Sequence, residues 1–443
     1  MFPHQFHGFS VSDRETPDCR VIRGQLRLSS RWIVLGKKVS RTKEEYSDHG
    51  TSFREVVDSD ELDKPGSLGS STVFVTARPG LWHCCPECGA ACKPICYKER
   101  RLHHLPDMGD QCMIIARIPK LLCTYCRRKM MVPFPLAEPR VSFTRMLARS
   151  VMSGLKHDSR TTVAQSYGIS TDVVDGILDK QMKLALCEQD LSGVSGVYVD
   201  ELQFGHGHDY VSIFIDQNHK AIFACRGHGK DVLERFSDHL MLQGGDPLNI
   251  RIFSADMSGA YEAGIKRWFP NARLVWDRFH LVKAINDAVN DVRKRLVHRA
   301  RGVRLAQVKY VVLRKKDNMD EQQLGRLAEI RLTCPELALA FDMKEAFCNI
   351  IMTRDPEKMA LRLLDWTLWV MDEGPKELVR KAERIVMKMD LITNWGIHQV
   401  SNSVSEGINK KAQDTRRQAY GYRNAQNFFQ MILLRQGRLK YRF

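Results

Sequence analysis

Two pairs of cysteines have the spacing of metal-binding knuckles. The first pair is Cys85 and Cys88, and the second, with 34 residues between, is Cys123 and Cys126. Thiolates from two such knuckles, brought together by strands, complete a tetrahedral site, so we predict a structural Zn²⁺ on these four side chains. The same segment contains four further cysteines: Cys84, Cys92, Cys96 and Cys112. Cys84 is the alternative to Cys85, but only Cys85 has the two-residue spacing to Cys88.

The stretch between the two knuckles is basic. Arg100, Arg101, His103 and His104 lie in a hairpin-like segment that could present positive charge to phosphates. We interpret Arg100, Arg101 and His103 as candidate DNA contacts. The alternative is that zinc only stabilises a small domain that does not touch DNA.

Carboxylates at predicted strand ends form a second constellation. We expect Asp200 to end one strand and Asp256 to end another, so that both emerge at one sheet edge if the strands are neighbours. Mg²⁺ prefers two or three carboxylates, with room for water and phosphate oxygens. Two such ions would activate the attacking oxygen and stabilise the leaving oxygen in phosphodiester chemistry. Glu406 is the candidate third ligand, and Mn²⁺ is the alternative metal.

Other residues near these carboxylates have competing interpretations. Glu406 closes the pattern Ser403-Val-Ser-Glu, which is also a capping box at a helix start. Glu201 should point away from Asp200 on the opposite face of its strand, so we leave it out. Asp277 and His280 follow a later strand, where they either support the metal ligands, contact DNA or form a plain turn.

Three arginines follow Glu406 on the same predicted helical stretch: Arg416, Arg417 and Arg423. We interpret them as contacts to the phosphates that are cut. The alternative is an ordinary solvated basic face.

A helix-turn-helix pattern covers residues 162–178. Ala164 is expected in the first helix, Gly168 in the turn, Ile169 in the core and Val174 in the second helix, as two helices crossing at a short turn require. Ser170 would cap the second helix. Ser170 and Thr171 are therefore candidate contacts in the major groove of double-stranded DNA, although a plain helical hairpin fits the same pattern.

The elements that must position these residues are readable from periodicity. Helical patterns from Ser142 to about Leu186 give way to three strand-like runs, GVYVDEL, YVSIFID and AIFACRG. A helix over Lys230 to Leu242 and strands over Ile250–Asp256 and Ala272–Asp277 follow. This order predicts a mixed sheet with helices packed on it, in a multidomain α/β protein. Helical periodicity then runs from His280 to about Met389.

Composition favours a polyanionic partner. The 443 residues include 68 Lys and Arg against 52 Asp and Glu, a net charge of +16, which indicates nucleic acid first and a membrane surface second. No apolar stretch approaches the roughly 20 residues that span a bilayer, and no signal-peptide pattern opens the sequence. We expect a cytoplasmic, nucleoid-associated protein, without a membrane role, whose 13 cysteines are reduced.

Several blocks in one order resemble the bacterial insertion-sequence transposases of the ISL-three type, a branch of the DDE transposases with a ribonuclease-H-like core. The blocks are GLWHCCPECG with the second CxxC, RRLHHLP, SADMSGAY, NARLVWDRFHLVK and SNSVSEGINKKAQDTRRQAYGYRNAQNF. The resemblance implies that Asp200, Asp256 and Glu406 bind the catalytic metals. It also implies that the zinc-binding and helix-turn-helix segments recognise the terminal inverted repeats of the element.

The resemblance covers about Leu81 to Phe429 and, together with the residue patterns, divides the chain into six regions. They are an N-terminal segment of unknown role (1–70), a zinc-ribbon-like domain (71–135), the helix-turn-helix region (140–190), the first part of the ribonuclease-H-like core (195–280), a helical insertion (281–395), and the last part of the core with a basic tail (396–443).

Our leading hypothesis is a Mg²⁺-dependent transposase that assembles as a homo-oligomer on DNA. Two other functions are alternatives to it. The first is a sequence-specific DNA-binding regulator whose core no longer cuts. The second is a structure-selective nuclease that needs no particular end sequence. Three retained acidic positions favour an active enzyme.

Overall fold

The computed structural model describes the backbone of most of the chain. The described residues are 5–6, 9–10, 17–29, 31–40, 70–78, 83–107, 110–205, 207, 209–276, 278–299, 308–398, 403–422, 424–437 and 439–443. Side chains are not described at 5–6, 9–10, 17, 36, 39–40, 83, 297–299, 395–398 and 403–406. The chain divides into two compact units: unit 1 is Met1–Cys187, Arg417–Gly421 and Leu439–Phe443, and unit 2 is Glu188–Arg416 and Tyr422–Arg438.

Unit 1 contains a two-stranded sheet, a six-stranded sheet and four helices among its described residues. Its elements are β1 (Gln5–Phe6), β2 (Phe9–Ser10), α1 (Pro17–Gln25), β3 (Trp32–Ser40), β4 (Ser70–Ala77), β5 (His83–Cys84), β6 (Ala91–Asp107), β7 (Asp110–Cys123), β8 (Lys129–Met131), α2 (Arg145–Gly154), α3 (Arg160–Ser166) and α4 (Thr171–Cys187).

The main sheet of unit 1 is built around the long hairpin of β6 and β7. Its strand order is β3-β4-β7-β6-β5, with β8 also paired to β7. Only the β4–β7 pair is parallel among the described pairs. Because β3 pairs with β4 and buries Trp32 and Val34, the sheet begins earlier in the chain than residue 71.

The helices α2, α3 and α4 form the helix-turn-helix region. Each helix start that shows a side-chain cap uses a hydroxyl, since Thr144 accepts from the Leu147 N–H and Ser159 from the Thr162 N–H. Val174 is fully buried, as expected. Ile169 is only half-buried, so its predicted place in the core is wrong; it lies beside the turn and lines a surface pocket together with Tyr167 and Gly168.

Unit 2 contains the second sheet and most of the helices. Its elements are β9 (Gly196–Gln203), β10 (Tyr210–Asp216), β11 (Ala221–Arg226), α5 (Lys230–Leu242), β12 (Ile252–Ala255), α6 (Gly259–Trp268), β13 (Arg273–Trp276), α7 (Arg278–Arg299), α8 (Lys309–Leu313), α9 (Glu321–Thr333), α10 (Pro335–Ile350), α11 (Pro356–Glu373), α12 (Lys376–Val386), α13 (Met389–His398), α14 (Ser403–Gln418) and α15 (Ala425–Gln436).

The five-stranded sheet of unit 2 is mixed, as the order of elements predicts. Its strand order is β11-β10-β9-β12-β13. The β9–β10 and β10–β11 pairs are antiparallel, whereas β12 is parallel to both β9 and β13. The predicted strands are therefore neighbours where the carboxylate hypothesis needs them to be. Asp200 does not end its strand, however, because pairing with β10 carries β9 on to Gln203.

The two faces of this sheet carry different side chains. Val199 pairs in register with Phe214, which stacks on Phe236 of α5 at 4.3 Å between ring centroids. Since side chains alternate along a strand, Asp200 lies on the opposite face. Near the end of β9, Phe204 contacts Phe428 of α15, with ring centroids 5.6 Å apart.

The region between β13 and α13 is helical throughout the residues described there, which confirms the periodicity. Its apolar side chains, such as Phe341, Leu363 and Leu378, join the same core cluster as the sheet. Arg295 on α7 donates to Glu336 on α10 and Glu377 on α12, so three helices share one ion-pair network. Within the described ranges, none of the helices combines the length and the apolarity that crossing a membrane requires.

Candidate functional site

The four cysteines with knuckle spacing come together in unit 1. Among the described residues, Cys85, Cys88, Cys123 and Cys126 are the one group of metal-ligating side chains whose ligand atoms all lie within 4.8 Å of one another. The Sγ atoms are 3.7 Å apart for Cys85 and Cys126 and 3.5 Å apart for Cys88 and Cys123. Sulfurs at the usual 2.3 Å from a tetrahedral Zn²⁺ lie about 3.8 Å apart, so the cluster fits this ion.

The two knuckles share one backbone design. The Cys85 N–H donates to the Ala90 carbonyl at 2.8 Å, and the Cys123 N–H donates to the Arg128 carbonyl at 2.9 Å. The residue before each acceptor has a positive φ, 69° at Gly89 and 60° at Arg127. Each chain reversal sits at the end of a β-hairpin, so the pairing of β6 with β7 brings the knuckles together.

Local backbone groups favour a thiolate at one of these sulfurs. Burial opposes ionisation of Cys123, but N–H groups of Cys126 and Tyr125 donate to its sulfur and lower its pKa to about 6. Thiolates are the form that binds zinc.

The other cysteines of this segment stay outside the group. Cys84 and Cys96 are exposed, and Cys112 is buried in the core of the sheet. Cys92 is buried beside the knuckles, where burial raises its pKa, and its sulfur lies 3.8 Å from the Ala90 carbonyl oxygen.

The basic residues between the knuckles have different surroundings. Arg100 donates to the backbone carbonyls of Glu138 and Val141, both at 2.8 Å, so its guanidinium holds a loop in place. Arg101 is exposed and lies 3.1 Å from Glu99. His103 is half-buried, and burial lowers its pKa. Of the candidates in this stretch, Arg101 is the one most accessible to a phosphate.

The turn of the helix-turn-helix region depends on glycine. Gly168 has a φ of +59°, and a Cβ there would lie 2.7 Å from Cγ of Gln111. Ser170 accepts from the Val173 N–H at 3.4 Å, which is the predicted cap, and Thr171 is exposed beside it.

The second helix of this motif, α4, carries an acidic first half that the sequence analysis did not weigh. Its acidic residues are Asp172, Asp175 and Asp179. Arg160 on α3 neutralises Asp175 at 2.8 Å. Contacts to phosphates must therefore come mainly from side chains outside this half of α4.

Asp200 lies within β9, and Asp256 directly follows β12, the strand that pairs with β9 in unit 2. The parallel register pairs Ser254 with Tyr198, and β12 ends at Ala255. If that register continued for two more residues, Asp256 would lie beside Asp200 on one face of the sheet. Both side chains are partly exposed.

Asp256 is held in place by its neighbours. Its Oδ1 accepts from the Met257 N–H and lies 3.1 Å from Nδ1 of His280, which stands in the first turn of α7. The carboxylate of Asp200 accepts from the Glu201 N–H at 2.8 Å. Asp277, the other residue predicted to support the ligands, lies outside the described residues.

Glu406 lies in the first turn of α14, where both interpretations of its sequence place it, but its side chain lies outside the described part of the chain. Further along α14, Arg416 donates to the Gln203 carbonyl at 2.8 Å and covers the Phe204 ring at 5.6 Å. These contacts attach α14 to the end of β9, three residues beyond Asp200. Arg417 is exposed, and Arg423 lies outside the described residues.

Sequence reasoning missed one polar network on the other face of this sheet. Tyr261 on α6 is almost fully buried, and its hydroxyl lies 3.3 Å from Oγ of Ser212. Burial, and then the nearby Glu201 carboxylate, raise the pKa of Tyr261. Strand alternation already placed Glu201 on this face, but no local pattern identified Tyr261 as its partner.

Comparison with known proteins agrees with the resemblance seen in the sequence. Residues 197–432 match a family described as "Transposase", and residues 132–181 match the helix-turn-helix domain of transposase family ISL3. The transposase for insertion sequence element IS1001 of Bordetella parapertussis is 24% identical over 376 residues, which cover 83% of this chain and 91% of that protein. The transposase for element IS1557 of Mycobacterium tuberculosis is 24% identical over 264 residues, 53% of this chain and 59% of that protein. Because the family match spans more than half of the sequence, the chain belongs to the ISL3 family of transposases.

Proposed function

We propose that this protein binds the terminal inverted repeats of an insertion sequence and catalyses Mg²⁺-dependent cleavage and strand transfer of DNA. The observation that carries the proposal is the parallel pairing of β12 with β9, because this register, continued by two residues, would bring Asp256 beside Asp200. Family membership supports the substrate, because relatives are named as transposases of insertion sequences.

The proposed catalytic core is ribonuclease-H-like. Three antiparallel strands followed by two parallel ones, with α5 and α6 between them in sequence, support this assignment. The third carboxylate would come from Glu406 on α14, whose end is attached to β9 by Arg416. The helices between β13 and α14 would then be an insertion in the core.

The carboxylates Asp200, Asp256 and Glu406 would hold two Mg²⁺ ions. These ions, when bound, activate the attacking oxygen and stabilise the leaving oxygen. His280 would fix the orientation of Asp256 through the contact at 3.1 Å, with Asp277 as a second supporting residue.

The reaction consists of two in-line displacements at phosphorus. Water attacks at the element end, the bond from phosphorus to the 3′ oxygen breaks, and a 3′-hydroxyl is released. This hydroxyl then attacks a target phosphate and displaces a target 3′ oxygen. Such chemistry depends on positioning and charge stabilisation, so no covalent enzyme intermediate is required.

DNA recognition would combine the helix-turn-helix region of unit 1 with the surface near its cysteine knuckles. Ser170 and Thr171 would reach base edges from the start of α4, while Arg101 and His103 would contact the backbone near the zinc-bound knuckles. Arg100 would support that surface through its contacts with the 138–141 loop. Arg416, Arg417 and Arg423 would lie near the cut phosphates, on a homo-oligomer assembled on nucleoid DNA.

The test is cleavage of DNA that carries the inverted repeats flanking the gene. Asp200→Asn and Asp256→Asn should each lower Mg²⁺-dependent cleavage at least about a thousandfold and leave repeat binding unchanged, since oriented charge carries much of such catalysis. The matched control is Glu201→Gln, which removes a neighbouring carboxylate from the opposite face and should retain cleavage. Cleavage by Asp256→Asn at the wild-type rate would refute the assignment. Repeat binding without cutting by the wild-type protein would favour a regulator instead.

A further inference from the structure

The outer face of α11 carries an unusual row of exposed apolar side chains. The exposed fractions are 65% for Leu361, 45% for Leu364, 59% for Leu368 and 47% for Met371. We call these four residues the α11 stripe. The opposite side of the helix is buried against α10, α12 and α13 through residues such as Leu363 and Val370.

Among the described residues, the four side chains of the α11 stripe remain exposed after the chain has folded. A helix on the surface of a soluble protein normally has one apolar face and one polar face. In α11 both faces are apolar, and the second one stays in contact with water. Contiguous exposed apolar surface of this kind marks interaction sites.

The spacing of the α11 stripe is that of a coiled-coil seam. Successive members are three, four and three residues apart, which is the a-d-a-d pattern of a heptad repeat. Such a seam packs its side chains into the holes of a partner helix with the same spacing. The chain itself supplies a helix of this kind in a second copy.

We propose that the α11 stripe is the contact through which two copies of this transposase pair, with the two helices antiparallel. In this arrangement Leu361 of one copy lies beside the partner's Met371, and Leu364 beside the partner's Leu368. Each a position then faces a d position. The two-fold axis crosses the helix pair at the centre of the stripe, at the level of Trp366 along the helix. The two-fold symmetry repeats both contacts, so all four residues of each copy take part in the interface.

Charges on one side of the stripe favour the antiparallel direction. Lys358, Asp365 and Asp372 occupy successive e positions and are exposed. In an antiparallel pair the e positions of the two helices face each other. Lys358 of each copy then faces the partner's Asp372, which gives two ion pairs related by the two-fold axis. The two Asp365 side chains meet near the axis and oppose pairing. A parallel pair would bring Asp365 to Ala360, Asp372 to Thr367 and Lys358 to Thr353, and would gain no ion pair.

The area of the stripe makes this pairing weak in the free protein. Four side chains over eleven residues bury a few hundred Å² per copy, whereas stable interfaces bury about 800 Å² per partner. Two copies bound to one DNA molecule would have a millimolar effective concentration, at which a weak contact forms. This last step rests on the proposed DNA-binding function, but the contact itself does not.

The first experiment measures self-association of the full chain without DNA, by sedimentation velocity over a range of concentrations that extends to about 1 mM, where a weak contact forms. We expect reversible dimers, weakened at least about tenfold by Leu364→Glu combined with Leu368→Glu, because charge would enter the seam. The matched control is Leu324→Glu combined with Leu332→Glu, which alters two exposed leucines on α9. Both double variants should unfold at the same temperature as the wild-type protein, because all four substituted leucines are exposed.

The second experiment tests the antiparallel direction by charge reversal. Lys358→Asp should weaken dimers severalfold, and adding Asp372→Lys in the same chain should restore them. Asp365→Asn should strengthen dimers, because it removes the repulsion at the axis. Strictly monomeric wild-type protein at all concentrations, or loss of dimers in the α9 control, would overturn the proposal; failure of the reversal to restore dimers would overturn the antiparallel arrangement. None of these outcomes depends on DNA cleavage.

Discussion

Asp200 and Glu201 are adjacent in the chain but have opposite environments. Asp200 is partly exposed on the face opposite α5, while Glu201 lies beside the buried hydroxyl of Tyr261. The alternation of strand side chains alone separates them. Two carboxylates of the same chemistry therefore have different surroundings, because alternation along the strand puts them on opposite faces.

The cysteines of unit 1 give a prediction with a close internal control. Cys88→Ser should reduce bound zinc from one equivalent per chain to a small fraction, because three thiolates do not complete a tetrahedral structural site. Cys84→Ser should retain one equivalent, because Cys84 is exposed and outside the group. Elemental analysis of the purified variants measures both. Equal zinc content in the two variants would contradict the assignment.

His104 gives a prediction about pH. Burial lowers its pKa to about 4, while Nδ1 lies 2.9 Å from the hydroxyl of Thr144. The unfolded chain binds this proton near pH 6.5 and the folded chain only near pH 4, so stability falls as pH drops between these values. At about 1.4 kcal/mol per pKa unit, His104 contributes up to about 3 kcal/mol to that loss.

The measurement for His104 is urea unfolding across this pH range. His104→Gln should flatten the dependence of the free energy of unfolding on pH, because the variant has no group to titrate there. His157→Gln changes an exposed histidine in the same unit and should follow the wild-type curve. A wild-type slope in His104→Gln would show that other groups cause the acid sensitivity.

At the scale of elements, short local devices explain why each motif forms. The knuckles reverse through a positive φ at Gly89 and Arg127, and α4 begins at a serine cap. Such devices depend on residues close in sequence, which is why the pattern of residue types predicts them. The acidic residues in the first half of α4 are also visible in the sequence. Because they would repel phosphates, we expect the phosphate contacts on other elements.

Two glycines of the helix-turn-helix region should respond oppositely to alanine. Gly168→Ala should destabilise unit 1 by about 1 kcal/mol, because alanine disfavours the positive φ at the turn and its Cβ would displace Gln111. Gly176→Ala should stabilise it by about 0.5–1 kcal/mol, because this site is exposed within α4 and has no neighbour within 4 Å of an added Cβ. Thermal or urea unfolding distinguishes the two. The same sign for both variants would contradict the role of the turn.

At the scale of the whole molecule, the net charge of +16 is unevenly distributed. Residues 93–149 contain 12 Lys or Arg against 4 acidic residues, and residues 406–443 contain 9 against 2. In the first segment, nine of the 12 basic side chains are exposed. The part of unit 1 between the knuckles and α2 is therefore a strongly basic surface.

This distribution predicts steep salt dependence of DNA binding. If about 6–10 phosphates are neutralised, affinity should fall by roughly 10³–10⁵ between about 50 and 200 mM salt. Arg101→Gln, at an exposed site, should reduce the slope of log affinity against log salt by about one. Lys294→Gln, on α7 outside both basic segments, should leave the slope unchanged. Affinity independent of salt would exclude phosphate contacts as the main source of binding.

The sequence by itself determined the features that depend on neighbouring residues. Strand and helix periodicity gave the elements of the mixed sheet, CxxC spacing selected the four cysteines, and the pattern around Gly168 located the turn. The residue pattern offered Glu406 as the third carboxylate, and the family resemblance, which the comparisons support, joined it with Asp200 and Asp256 in one metal site as a hypothesis. Each of these rests on local geometry, which a short stretch of chain encodes.

Only the tertiary structure decided features that depend on partners distant in sequence. Pairing with β10 extends β9 past Asp200, the loop at 138–141 takes up the guanidinium of Arg100, and Tyr261 lies beside Glu201. The α11 stripe is the clearest case, because a helix with two apolar faces does not reveal which face folding will cover. Burial of a side chain is a property of the packed molecule, and the neighbours that produce it are specified only when the chain folds.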